Sequence, residues 1–333
     1  MMGAARSCYL NQNGSLSQRN IQLSVSQFYL LNIKPQENKS IERVIMNSPK
    51  NSPKSPARNL KEPIKVDLTD GLSVRLYADS RPHCMETAAI QKGLILMLDN
   101  KELIQEGVGF GVPVVRYQDK TYFSSSAEVL VENGNSTVTK TYILDSVSRK
   151  RIWRSAYIND GLYSFTRKKF ALLYLGHKNY SSFFNNFMEL RQLAKVRTEF
   201  QRVKPRGAIA VKYDIRPATI NVSLDFSRLV LSGCEEILVQ NEQGSDIFNK
   251  YVDSNGLKLS GSKIGGWDAV TADEACLLST NFPVSFSLRR TEGATLYRGW
   301  ENTKSRFSWA GLNYSLFPSN SSFSYTIWLG CKR

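Results

Sequence analysis

The feature that most constrains the fold is a glycine-spaced segment at residues 102–125. Gly107, Gly109 and Gly111 stand two residues apart, and Pro113 follows them. Glycine at every second position strips the side chains from one face of a strand, so that another backbone or a ligand can approach closely. The segment therefore predicts a strand that is packed at short range inside a larger sheet structure.

Period-two patterns elsewhere predict many more strands. Residues 72–79 alternate apolar and polar side chains, which is typical of a half-buried strand. Asn133-Gly134-Asn135 separates two β-rich runs and is a hairpin signal. From residue 209 onward, strand patterns recur at intervals of ~10 residues. The predicted fold class is all-β, a large antiparallel β-sandwich of the supersandwich kind that covers residues 66–333.

One basic amphipathic helix is predicted inside this domain, at residues 181–203. A serine at its start can cap it, and Pro205 and Gly207 would end it. The apolar positions that recur at spacings of four, three and four, and so share one helical face, are Phe183, Phe187, Leu190 and Ala194. Basic residues occupy much of the remainder. The helix packs on the sandwich in one interpretation and forms a basic rim over a groove in the other.

Residues 1–65 are predicted to be a disordered basic tail. They are rich in Ser, Asn, Gln and Lys and contain a Ser-Pro repeat at residues 47–58. The repeat is open to three interpretations: a linker, a phosphorylation segment at Ser48, Ser52 and Ser55, or turns that contact the DNA minor groove. Met46, just before the repeat, is an alternative translation start.

Charge is concentrated in two regions. The formal net charge is +15, and residues 1–65 contain ten basic and three acidic residues, while residues 145–216 contain sixteen and five. Such fields attract polyanions, including nucleic acid and acidic polysaccharide. A solvated basic face that aids solubility is the alternative.

The five cysteines are scattered and have no CxxC spacing. This pattern argues against structural zinc and against a disulfide framework, and it favours free thiols in a reducing compartment. No apolar run approaches the ~18 residues that a membrane span needs, and the N-terminus lacks the continuous apolar region of a secretory signal. The sequence therefore predicts a cytoplasmic protein without a transmembrane segment.

A Gly-rich strand that ends in proline, Gly107–Pro113, precedes many antiparallel strands and a late aromatic pair of strands at residues 307–318 and 323–330. This order resembles the galactose mutarotase-like supersandwich of aldose epimerases and of β-domains in glycoside hydrolases and polysaccharide lyases. The resemblance implies carbohydrate recognition, with acid–base chemistry on a sugar and no redox cofactor or essential metal. Aldose epimerases use a histidine acid and a glutamate base; this chain has only His83 and His177, and neither sits in a family-like motif.

Proton transfer on a sugar needs an acid and a base on opposite sides of the substrate. The catalytic candidates are Glu292 and Glu301 as carboxylates and His177 as the acid. Arginine binds carboxylates in bidentate fashion, and indole rings offer flat apolar surfaces to a sugar. The substrate-binding candidates of these two kinds are Arg290, Arg298, Trp267 and Trp300.

A lyase interpretation uses other residues, because abstraction of a proton beside a uronate carboxylate needs a neutralising cation and a base. Arg116 with Tyr117, or Tyr297 with Arg298, supplies these types. The alternative from a different class is a non-catalytic module that binds a polyanion, nucleic acid or acidic glycan, through the tail and helix. Nucleotide chemistry is not indicated, because the chain has no GxxxxGK[ST] and its glycine segment opens no helix.

Overall fold

The computed structural model describes residues 62–69, 71–83, 88–104, 107–118, 120–154, 194–303, 307–318 and 321–330. These residues form strands and two short 3₁₀ helices, η1 (Asn133–Asn135) and η2 (Gly261–Ile264). The strands, in chain order, are β1 (Ile64–Asp67), β2 (Leu72–Leu76), β3 (Arg81–His83), β4 (Ala88–Ile90), β5 (Ile95–Leu98), β6 (Lys101–Glu102), β7 (Gly109–Tyr117), β8 (Thr121–Phe123), β9 (Ser126–Glu132), β10 (Thr137–Ile143), β11 (Ser146–Arg154), β12 (Ala194–Arg202), β13 (Ala208–Arg216), β14 (Thr219–Asp225), β15 (Cys234–Gln243), β16 (Phe248–Asp253), β17 (Lys258–Ser260), β18 (Gly266–Ala269), β19 (Glu274–Ser279), β20 (Ser285–Arg289), β21 (Ala294–Thr303), β22 (Phe307–Leu316) and β23 (Ser322–Gly330).

Two large sheets dominate the described structure. The nine-stranded sheet has the order β17-β16-β19-β20-β23-β14-β13-β10-β9, and the eight-stranded sheet has the order β12-β11-β8-β7-β15-β22-β21-β18. A four-stranded sheet (β1-β2-β5-β6) and the β3-β4 pair accompany them. Neighbouring strands within these sheets run antiparallel, as in the β10–β13 and β21–β22 ladders. The all-β prediction, with large antiparallel sheets in a sandwich, is confirmed.

The core lies where inward side chains of the two large sheets meet. Strand β13 shows why its sequence folds this way: Ile209, Val211 and Tyr213 are fully buried, while Lys212 between them is exposed. Period-two alternation places the apolar side chains on one face, and burial of that face against the other sheet stabilises the pairing. A sandwich core of this kind forms a continuous apolar layer between the sheets.

The space beside the glycine segment is filled by the protein itself. A Cβ at Gly93 would lie 1.9 Å from the carbonyl oxygen of Phe110, and one at Gly111 would lie 2.9 Å from the hydroxyl oxygen of Tyr213. Gly111 also has a φ of 75°, which L side chains rarely adopt. The close approach that the glycine spacing predicts therefore comes from a neighbouring backbone and a tyrosine of the opposite sheet.

The predicted helix at residues 181–203 is wrong where the structure describes it. Residues 194–202 form strand β12, which pairs along its length with β11 from Ala194↔Arg154 to Arg202↔Ser146. A nine-residue ladder satisfies the backbone groups on the side of β12 that faces β11, and it outweighs a weak helical preference. Residues 181–193 lie outside the described ranges, as does the tail at residues 1–61. The predicted domain boundary at residue 66 falls inside strand β1.

None of the helices in the described ranges has the length and apolar character needed to cross a bilayer.

Candidate functional site

The candidate site lies on the face of the eight-stranded sheet that points away from the nine-stranded sheet. Asn241 points inward, because its Oδ1 accepts a hydrogen bond of 2.7 Å from the hydroxyl of Tyr325 in β23. Side chains alternate along a strand, so Gln240 and Glu242 point outward. We call this the outer face. Cross-strand pairing adds to it Trp309, Gly311 and Asn313 of β22 and Tyr297, Gly299 and Glu301 of β21.

Glu242 is the most buried carboxylate of the outer face, with 3% of its surface exposed. Its Oε1 lies 3.3 Å from Nε2 of Gln240 and 3.5 Å from Nδ2 of Asn313, and both amides donate to it. The backbone N–H of Val108, beside the glycine segment, donates to the same carboxylate. Three donors from three strands or loops therefore hold this side chain in place.

The environment of Glu242 favours its protonated form. Burial raises the pKa of its carboxyl to about 8, and the negative charge of Glu301 adds to the rise. The hydrogen bonds from Asn313 and Val108 and the positive charge of Lys92 oppose it. Desolvation prevails over these opposing interactions. Glu242 is therefore largely a neutral acid at pH 7, which is the form that donates a proton.

Glu301 is the second carboxylate of the outer face and is only half-buried. Glu242 is aligned across β22 with Gly299 of β21, and Glu301 lies two residues further along β21. The Cα atoms of the two glutamates are therefore roughly 12 Å apart. Oε2 of Glu301 accepts a hydrogen bond of 3.3 Å from Nε1 of Trp309, and its backbone oxygen accepts one of 2.8 Å from Ser245. Two carboxyl groups in unequal environments thus share one face.

Three aromatic rings stand beside these carboxylates. The Trp267 ring lies 6.1 Å from that of Tyr297 and 6.2 Å from that of Trp309, measured between centroids. Trp267 sits at a register shift of β18 with a φ of 124°, so its backbone departs from regular strand geometry at this point. The three rings form an apolar wall, and the ring of Trp309 covers Gly299.

Two buried polar atoms of this face have no hydrogen-bond partner in the described part of the chain. They are Oε1 of Gln240, an acceptor, and Nε1 of Trp267, a donor. Both residues are less than a tenth exposed. Buried polar groups in proteins are almost always satisfied, so each of these atoms calls for a partner such as a ligand or an ordered water.

Trp267, Tyr297 and Glu301 are the three predicted site residues that the fold brings to this cluster. Arg116 also lies on the outer face, but near the opposite end of β15. Its guanidinium is paired with Glu235 and Glu236, each at 3.2 Å. It is therefore already engaged by two carboxylates in this structure.

Four other predicted binding residues make contacts away from the cluster. Tyr117 donates to the carbonyl of Val230 at 2.6 Å, and burial raises the pKa of its hydroxyl to about 12. The remaining three also donate to backbone carbonyls: Arg298 to Ile264, Arg290 to Thr271, and the Trp300 indole to Ser245. These bonds hold turns and strand ends in place.

The predicted catalytic residues do not all meet. Glu292 is exposed in the turn before β21, whereas Glu301 is near the far end of that strand. At ~3.3 Å per residue, the two lie about 25 Å or more apart. His177 lies outside the described ranges. Glu292 and Glu301 therefore do not flank a single sugar.

Sequence reasoning missed Glu242, Gln240, Asn313 and Trp309. A signal for two of them is present in the strand β15, which ends in the polar run Gln240-Asn241-Glu242-Gln243. These four consecutive polar residues are all buried in a central strand. Because burial of polar groups costs free energy, such a run marks a candidate functional site. No group of three or more His, Cys, Asp or Glu side chains placed to hold a metal ion occurs among the described residues.

No protein-family model matches the sequence, and no curated protein matches it. Solved structures do resemble it. A galactose mutarotase-like protein from Lactobacillus casei has a TM-score of 0.38 and 12% identity, over 81% of this chain and 100% of that one. A galactose mutarotase related enzyme from Lactobacillus acidophilus has a TM-score of 0.32 and 7% identity, over 81% and 97%.

The α-N-acetylgalactosaminidase NagBb from Bifidobacterium bifidum, in a complex with GalNAc, has a TM-score of 0.44 and 7% identity over 80% of this chain. This chain spans only 36% of that protein's length. At these identities the likeness concerns the arrangement of strands alone. The chain thus has the topology-level resemblance to galactose mutarotase-like proteins that its sequence predicted.

Proposed function

We propose that this chain binds a carbohydrate on the outer face of the eight-stranded sheet. The observation that carries the proposal is a pair of unsatisfied polar atoms on this face: Gln240 Oε1, on the residue next to the Glu242 carboxyl, and Trp267 Nε1, three strands away in the same sheet. A sugar hydroxyl both donates and accepts, so the hydroxyls of a bound sugar are suitable partners for the Gln240 acceptor and for the Trp267 donor. Binding of the sugar then removes the cost of leaving them unpaired.

The chemical make-up of the face supports a sugar over other small ligands. Trp267 and Trp309 are both less than a tenth exposed, and indole rings are of the kind that pack on the C–H face of a pyranose. Amides and carboxyl groups of Gln240, Asn313 and Glu301 stand beside the rings and suit hydroxyl groups. A mostly apolar surface with a few convergent polar groups is the usual make-up of a small-molecule site.

We further propose that Glu242 and Glu301 form an acid–base pair. Glu242, protonated at neutral pH, gives its proton to the ring oxygen of the sugar. Glu301, which is half-buried and whose negative charge acts on Glu242, takes the proton of the anomeric hydroxyl. The ring C–O bond breaks and the open aldehyde form results; reversal with the opposite facial attack yields the other anomer. Carboxyl groups held in environments that separate their pKa values perform such paired roles.

The test combines a glycan array with an anomer-exchange measurement by NMR. Glu242→Gln keeps the shape of the side chain and removes the titratable proton, while Glu292→Gln changes an exposed carboxylate far from the cluster and serves as the matched control. We expect Glu242→Gln to retain glycan binding and to lose roughly 100-fold or more in exchange rate. Glu292→Gln should behave like the wild type.

Three outcomes count against the proposal. Absence of binding to every glycan on the array contradicts the carbohydrate assignment. Binding with an exchange rate that Glu242→Gln leaves unchanged contradicts the acid–base role and leaves a binding protein. Water alone at Gln240 and Trp267, seen in a crystal soaked with the best array ligand, also counts against the site.

The polyanion-binding alternative rests on the tail and on the predicted helix. Those segments lie largely outside the described ranges, so nucleic-acid binding stays a prediction from the sequence. Basic residues in the described part that form ion pairs include Arg216 with Asp214 and Arg289 with Glu274.

A further inference from the structure

A lysine inside the sandwich contacts the segment behind the candidate site. Lys140 of β10 is fully buried between the two large sheets. Its Nζ donates to the carbonyl oxygens of Tyr77 at 2.7 Å and Lys92 at 2.8 Å. A buried amine with two carbonyl acceptors is held firmly, because loss of either bond would leave a polar group unpaired in the core.

The peptide of Lys92 is held from β10 by two side chains. Besides Lys140, the hydroxyl of Tyr142 donates to the same carbonyl oxygen at 3.3 Å. These side chains are two residues apart on one face of β10, so they converge on one peptide. The backbone of Lys92 is thereby fixed on the interior side of the sandwich.

Lys92 supplies a charge that acts on Glu242, and its peptide contacts Val108, which supplies a backbone donor to the same carboxyl. The positive charge of Lys92 opposes the rise in the pKa of the Glu242 carboxyl. Gly93, the next residue, donates from its backbone N–H to the carbonyl of Val108 at 2.8 Å. Val108 in turn donates its own N–H to Glu242. A shift of the Lys92 peptide would therefore move both groups relative to the carboxyl.

We propose that Lys140 is a positioning residue for the outer-face site: from inside the sandwich it fixes the Lys92 peptide, and through it the ammonium of Lys92 and the N–H of Val108 that act on Glu242. The inference deepens the proposed function, since it concerns the same site. It is tested without any sugar, so that failure of the carbohydrate assignment leaves it standing.

The charged and polar groups around Lys140 fit this role. Burial lowers the pKa of its amine to about 7, and the charge of Asp79 opposes that shift. The Tyr142 ring lies 5.2 Å from Nζ. A neutral amine has two N–H donors, which match the two carbonyl acceptors. Lys140 thus holds both carbonyls in either protonation state, and its contribution is geometric.

The experiment measures the pKa of Glu242 by NMR titration of protein labelled with ¹³C at the glutamate carboxyl, with Glu242→Gln used to assign the signal. Lys92→Met removes the ammonium and defines the full effect, an upward shift of about one unit. Lys140→Met should give a shift in the same direction and of comparable size. Lys140→Gln, which keeps a donor, should restore part of the wild-type value.

Val138→Ala is the matched control, because Val138 is buried on the same face of β10 and has no polar contact with Lys92. It should leave the pKa of Glu242 unchanged despite a comparable loss of stability. If Lys140→Met does not fold, Tyr142→Phe removes the second bond to Lys92 and should shift the pKa upward by a smaller amount. A wild-type pKa of Glu242 in folded Lys140→Met or in Tyr142→Phe overturns the proposal.

Discussion

The indole of Trp309 occupies the space that any side chain at Gly299 would need. A Cβ at Gly299 would lie 2.5 Å from Cη2 of Trp309 and 2.8 Å from Cζ3. In the ladder between β21 and β22, Gly299 pairs with Gly311, and Glu301 pairs with Trp309. The ring can reach across and donate to Glu301 only because the position beside it has no side chain. The aromatic wall and one carboxylate of the candidate site thus depend on a glycine.

Gly299→Ala should displace Trp309 from Glu301. The backbone of Gly299 has no positive φ, so the cost is steric and lies in the moved ring. We expect a loss of about 1–3 kcal/mol in the free energy of unfolding, a change in tryptophan fluorescence and at least a 10-fold weaker affinity for any glycan found on the array. Gly134→Asn, at a turn where nothing lies within 4 Å, is the control. Unchanged fluorescence in Gly299→Ala would contradict the expected displacement.

Glu242→Gln should change how stability depends on pH. The pKa of Glu242 in the folded chain is about 8, above its value of ~4.3 in the unfolded chain. Between these values the native state holds the proton and the unfolded state does not, so stability falls as pH rises. We expect the wild type to lose about 1 kcal/mol per pH unit relative to Glu242→Gln from pH 5 to pH 8. Urea unfolding of both proteins at several pH values measures this difference. If the free energies of unfolding of the two proteins run parallel across the pH range, the prediction is refuted.

Comparison of the wild type with Lys140→Met should show the opposite dependence of stability on pH. The pKa of Lys140 in the folded chain is about 7, below its unfolded value of ~10.4. Between the two, the unfolded state binds the proton that the native state has lost, so the wild type gains stability as pH rises. Relative to Lys140→Met, we expect a gain of about 1 kcal/mol per pH unit from pH 7 to pH 9. A pH-independent difference in urea unfolding would show that Lys140 does not titrate in this range.

Tyr213→Phe should destabilise the sandwich at the glycine segment. The Tyr213 hydroxyl lies 3.0 Å from the carbonyl oxygen of Phe110 and 3.1 Å from the hydroxyl of Tyr142, in the fully buried core. Its removal leaves these groups without that partner, at a cost of about 1–3 kcal/mol in the free energy of unfolding. A double-mutant cycle with Tyr142→Phe should give a coupling of about 0.5 kcal/mol or more. Additive losses would mean that the two hydroxyls act independently.

The sequence was sufficient for the class of fold and for the faces of single strands. In β13, alternation between apolar and charged residues is visible locally, and the same alternation decides which side chains are buried. The glycine spacing at residues 107–111 likewise predicted close approach. Both are properties of a short stretch of backbone and need no knowledge of its neighbours.

Only the tertiary structure decided the order of the strands and therefore the site. Residues 194–202 carry part of a helical pattern, yet they become a strand because β11 offers a ladder that no local window contains. Glu242 and Glu301 share one face because β22 lies between β15 and β21. The raised pKa of Glu242 follows from burial by distant segments. Periodicity is a local property of the chain, whereas pairing and desolvation arise from contacts between residues far apart in sequence.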